Sequence, residues 1–174
     1  MLVLRSESDR PAIQFSSAND ATDTPPGDRQ ARPNSHGVID STTQSQRLSI
    51  ADGVDRESVS AFMTTTNFDT ETVFLESVPV EECYRLQLCR IGWQSSEIRT
   101  DYTRVLRPYD EACAVDTTVY ESRLVRLPTV LDADAVRSFR TSVSGSGRCT
   151  RGEGSDRNSE QPPGTSDSST GESQ

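Results

Sequence analysis

Between residues 70 and 143, apolar and polar side chains alternate in four runs parted by proline, glycine and short polar stretches. That alternation constrains the fold more than anything else in the chain. Successive side chains of an extended strand point to opposite faces, so a period of two gives a sheet one buried side and one wet side. The first run, "ETVFLESV", is a strand with Pro79 at its end or at a sheet edge, where a missing N–H costs least. In "ECYRLQLCRIGW" one face is Tyr84, Leu86 and Leu88, and the other is Cys83, Arg85, Gln87, Cys89 and Ile91. "EIRTDYTRVLR" turns Ile98, Thr100, Tyr102 and Leu106 one way and stops at Pro108, and "TVYESRLVRLP" stops at Pro128. "GWQSS", residues 92–96, fits a hairpin between the second and third strands. Beyond Pro128, "TVLDADAVRSF" offers Asp132 as a cap, with Val136 and Phe139 at helical spacing, which predicts a short helix.

The expected fold is a small α+β or all-β domain at residues 70–143, an antiparallel sheet of about four strands with one short helix, flanked by disordered tails. Apolar residues make up only 32% of the 174, well below the usual share, so much of the chain stays out of the core. The shortfall lies in residues 1–69 and 144–174, which are rich in Ser, Thr, Asp, Pro and Gly. Such segments bury too little apolar surface to offset about 1–2 kcal/mol of backbone entropy per ordered residue, so both read as disordered acidic tails. An exception within the first is 53–63, where Asp52 or Asp55 caps a short helix carrying Val59, Phe62 and Met63. Met63 is also an alternative start for a chain whose folded part begins near residue 70.

Four cysteines, Cys83, Cys89, Cys113 and Cys149, are the chemically distinctive residues. In one strand Cys83 and Cys89 are about 20 Å apart, at roughly 3.3 Å per residue. A disulfide needs α-carbons within about 7 Å, so these two are not partners of each other. The leading reading is that they pack as small apolar side chains. Disulfides to Cys113 or Cys149 come next, and a metal site or reactive thiol last. The spacings of 5, 23 and 35 residues contain no close C-x2-C pair, and no metal site or cofactor is assigned.

Catalysis has little to build on. The chain has no lysine, hence no Schiff base and no P-loop lysine. Its single histidine, His36, lies in the first tail, which argues against a Ser–His or Cys–His nucleophile. The pairs Glu81–Glu82 and Asp110–Glu111 flank strands as solvated charges, and "DADA" at 132–135 lacks the glycine and final glutamate of a calcium loop. No catalytic residue is assigned. The expected role is a non-enzymatic interaction or accessory domain with a protein partner or a second copy of itself. The alternative is a nucleic-acid-binding sheet that uses Arg85, Arg99, Arg104, Arg107 and Arg123 with Tyr84, Tyr102 and Tyr120. Against it, cross-strand pairing with Glu76, Glu97, Asp101 and Glu121 would occupy the same arginines. A second alternative is a disulfide-stapled cell-surface domain.

All 18 basic residues are arginine, and the net charge is −9 with 27 acids. Absence of lysine with excess acid resembles the composition of halophilic archaeal proteins, a likeness that spans the chain but carries no motif. It implies an acidic background that does not by itself exclude a nucleic-acid partner, since strong salt shortens the Debye length to about 3 Å or less. "MLVLRSESDR" is too short for a signal-peptide core, and no stretch approaches the roughly 18 uncharged apolar residues of a membrane helix. The expected location is the cytoplasm with reduced cysteines, or outside the cell if they are disulfide-bonded.

Overall fold

The computed structural model describes residues 1–6, 10–15, 36–145 and 147–149. Among these, nine strands and two short helices follow in the order β1 (Leu2–Ser6), β2 (Ile13–Phe15), β3 (His36–Ile39), α1 (Thr42–Ser45), β4 (Leu48–Ile50), α2 (Arg56–Thr64), β5 (Thr72–Glu81), β6 (Tyr84–Trp93), β7 (Glu97–Leu106), β8 (Thr118–Leu127) and β9 (Ser138–Ser144). The four alternating runs are β5 to β8, and the fold is mostly antiparallel sheet.

The four runs divide between two sheets. β5 and β8 pair along their whole length, from Thr72 opposite Leu127 to Glu81 opposite Thr118, and the central sheet has the order β1-β8-β5-β3. β6 and β7 form the expected hairpin, with Trp93 opposite Ile98, and β9 runs parallel beside β7. β2 and β4 make a small antiparallel ribbon.

Both faces of the central sheet are covered, which explains why β5 and β8 are buried almost throughout. On one face Leu4, Ile39, Val73, Leu75 and Leu124 pack with Ile13 of β2 and Val59 of α2. On the other, Phe74, Val125 and Leu127 meet Ile98 and Phe139, and Val78, Val80 and Val119 meet Leu86 and Tyr102. Gly37 sits on the first face because the Phe15 ring lies where a side chain would be, with its Cε2 1.9 Å from the site of a Cβ. Pro79 lies within β5 opposite Tyr120, beyond the last residue paired to β3, so β5 is an edge strand there.

Three expectations need correction. The segment 1–69 is not a disordered arm where it is described, because it supplies β1, β2, β3, both helices and β4. Each of these strands brings only two or three apolar side chains, too few to stand out in a local window. β1 and β3 form because β8 and β5 offer them hydrogen-bonding edges, and β2 and β4 pair with each other. The helix expected within it is α2, capped by Asp55, whose Oδ1 accepts from Ser58 N at 3.0 Å. The second helix, expected after Pro128, is absent. Asp132 closes a single turn, accepting from Asp134 N at 2.8 Å, and the chain then extends as β9 because β7 offers it a parallel ladder. In the third, Ile91 belongs with Leu88 in the core and not on the opposite face. The disorder expected at 16–35 and from 150 onward lies outside the described residues.

Candidate functional site

Strand β6 gathers most of the chemistry. Cys83, just before it, is bonded to Cys113 in the β7–β8 loop with α-carbons 5.1 Å apart, and Cys89 within it is bonded to Cys149, beyond β9, at 5.2 Å. None of the four cysteines is free, so the reading of packed thiols is overturned. The two that share a strand are partnered elsewhere, as strand geometry requires. Sequence spacing could not choose between Cys113 and Cys149, because the choice depends on where the β7–β8 loop and the end of β9 return. Among the described residues no helix is long and apolar enough to cross a membrane.

Cys89 is also a bulge. The register passes from Leu88 opposite Tyr102 to Arg90 opposite Asp101 and leaves Cys89 unpaired. An extra residue reverses the facing of everything after it. Ile91 therefore turns inward with Leu86 and Leu88, and Arg90 and Gly92 turn outward beside Arg99 of β7 and Arg140 of β9. On that outer face Glu97 takes Arg99 Nη2 at 2.5 Å on one oxygen and Arg140 Nε at 2.7 Å on the other. Those contacts, the Arg99 hydrogen bond first, hold its carboxyl below the usual carboxylate range. Ser142 Oγ donates to Asp101 at 2.6 Å. Arg90, Gly92, Arg99, Asp101, Arg140 and Ser142 are among the residues lining a concavity of about 490 Å³.

The inward edge of β6 meets side chains of the central sheet. Glu121 accepts from Leu86 N at 3.0 Å, Arg123 donates to Leu86 O, and Arg5 donates to Tyr84 O at 2.9 Å. Glu121 also binds Arg5 at 3.0 Å and Arg123 at 2.6 Å. Two arginines and one glutamate thus satisfy a strand edge that has no neighbouring strand among the described residues. Arg123 Nε and Nη1 have no hydrogen-bond partner among the described residues, but the guanidinium lies 4.8 Å from the Tyr102 ring centroid, a cation–π position.

Next to this ladder, Glu76 is 1% exposed and takes three hydroxyl donors: Tyr102 at 2.6 Å, Thr100 at 3.0 Å, and Thr141. His36, expected in a disordered tail, stands in β3 opposite Glu76 with its Nε2 3.8 Å from the carboxylate, and its ring stacks on Phe139 at 5.4 Å. The hydroxyls that reach Glu76 tie β5 to β7 and β9 through the interior.

The residues expected on a nucleic-acid face are scattered. Arg123 and Tyr102 are in the core, 1% and 2% exposed. Arg85 and Arg107 share Glu111 at 2.6 and 2.9 Å, holding its carboxyl below the usual range, with Arg107 the larger cause. Arg104 pairs with Glu81 at 3.6 Å, and Arg99 with Glu97. Tyr84 packs against Val78, Val80 and their neighbours, and Tyr120 lies opposite Pro79 on the far side of the central sheet. Only Arg99 of the eight lies in the 490 Å³ concavity. Arg90 was legible as a strand arginine, but its meeting with Arg140 was not, because the bulge and the parallel strand that bring them together leave no local signal. The sequence matches no protein-family model, and no curated protein or solved structure matches it either.

Proposed function

We propose that this chain is a non-enzymatic interaction domain that works in an oxidising setting outside the cytoplasm. The observation that carries this reading is that all four cysteines are spent in two disulfides that both end at β6. A reducing cytoplasm would keep such thiols open. The bridges close separations of 30 and 60 residues, each worth roughly 3–4 kcal/mol by loop-closure entropy. A protein partner has support at the open edge of β1, where Met1 and Val3 are 64% and 44% exposed beside a cleft that also includes Leu88 and Val105.

The test is the mass of the purified chain after alkylation without reductant, native and denatured. Both samples should gain no alkyl groups. Addition at two or four cysteines in the denatured sample would sink the oxidising assignment.

A further inference from the structure

Several arginines among the described residues pair with acids. Arg85 and Arg107 are matched by Glu111, Arg104 by Glu81, and Arg5 and Arg123 by the buried Glu121. The outer face of the β6–β7–β9 sheet carries one arginine more than its acids pair. Arg90, Arg99 and Arg140 come from three neighbouring strands into one concavity of about 490 Å³. Arg99 and Arg140 share Glu97, and Asp101 is held by Ser142. The Arg90 guanidinium has no hydrogen-bond or ion-pair partner among the described residues. The three guanidinium groups outnumber the two carboxylates, so the hollow is locally positive on a chain of net charge −9.

Two local features build it. The bulge at Cys89 turns Arg90 outward, and the Cys89–Cys149 bridge fastens that bulge. Gly92, opposite Arg99, leaves the floor open, with no heavy atom within 4 Å of where its Cβ would stand. Glu97 shows what the arginines hold, since its two carboxylate oxygens lie against different guanidinium groups at 2.5 and 2.7 Å. Charge-assisted contacts of this kind suit the oxygens of a sulfate or phosphate equally well.

We propose that this hollow binds sulfate groups of an acidic polysaccharide, and that Glu97 is an internal competitor for Arg99 and Arg140. The choice of polysaccharide rests on the oxidising setting proposed above. It also rests on the lining, because single-stranded nucleic acid is held by successive stacked rings as well as basic groups. Among the described residues one indole, Trp93 at 37% exposure, stands in the adjoining hollow, and no tyrosine lines either.

The experiment is retention of the full, disulfide-bonded chain on immobilised heparin at low salt. Single-stranded DNA of matched charge serves as competitor, and thermal melts confirm that each variant is folded. Wild type is retained in spite of its overall negative charge. Arg90→Gln and Arg140→Gln each weaken binding by about tenfold, the loss of one charge-assisted contact. Glu97→Gln strengthens it, and Arg104→Gln leaves it unchanged. Flow-through of the wild type, or equal binding by the wild type and both arginine variants, overturns the site. DNA competing as well as heparin overturns the polysaccharide assignment. Free thiols in the same preparation would defeat the oxidising setting, whatever the heparin column reports.

Discussion

Tyr102 alternates with polar neighbours in the sequence like any half-buried strand residue, yet its hydroxyl ends against Glu76 at 2.6 Å beneath the Arg123 guanidinium. Burial first, and then the nearby Glu76 carboxylate, push its phenol above the ordinary tyrosine range. The sign follows from which state keeps the proton. Above about pH 10 an unfolded chain loses the phenolic proton that the native state retains, so stability falls as pH rises. Tyr102→Phe should be the less stable protein at neutral pH, by about 1–2 kcal/mol for the lost hydrogen bond. The gap to wild type should then narrow beyond pH 10 in urea titrations, and a constant gap would contradict the assignment. The alternation made the inward direction of Tyr102 legible. Its partners were not, because Glu76 and Arg123 face each other only through the register of β5 with β8.

At the scale of an element, β6 is held from three sides. β7 supplies its ladder, the disulfides pin its start and its bulge, and Arg5, Glu121 and Arg123 satisfy its remaining edge. Glu121, 3% exposed, is the hinge of that last arrangement, since it neutralises two arginines and accepts from Leu86 N. Glu121→Ala should destabilise the protein by about 3–5 kcal/mol, because it leaves buried positive charge uncompensated. A urea midpoint within experimental error of wild type would show that this network adds nothing. Strands β5 to β8 were readable from period-two patterning, and so was α2 from its capping Asp55. The bulge was not, since alternation counted through "CYRLQLCRIGW" puts Ile91 on the wrong face. Nor was β9: the helix expected in "TVLDADAVRSF" runs into its first two residues, and the strand forms because β7 offers a backbone to pair with. Arg126 of β8 shows the same long-range completion, donating to Phe62 O at 2.8 Å and so satisfying the end of α2.

For the whole molecule, the central sheet joins two strands from the first 40 residues to β5 and β8. β1 and β3 are its outer strands, so a chain that began at Met63 would retain only β5 and β8 of the four. Composition pointed away from this, because apolar content was summed locally while the strands are completed by distant partners. The parallel pairing of β9 with β7 has a consequence in time. Chain between them includes β8, which belongs to the other sheet, so β9 reaches its place only by crossing from one layer to the next. The β6–β7 hairpin is local and forms without that crossing. Oxidative refolding should therefore be ordered, with Cys83–Cys113 closing first and Cys89–Cys149 waiting until β9 has docked. Acid-trapped intermediates, mapped by mass, would show the reverse order if the hairpin were not the early structure. Until the later bridge closes, the bulge at Cys89 has no fastening, and the arginine hollow is the last part of the molecule to mature.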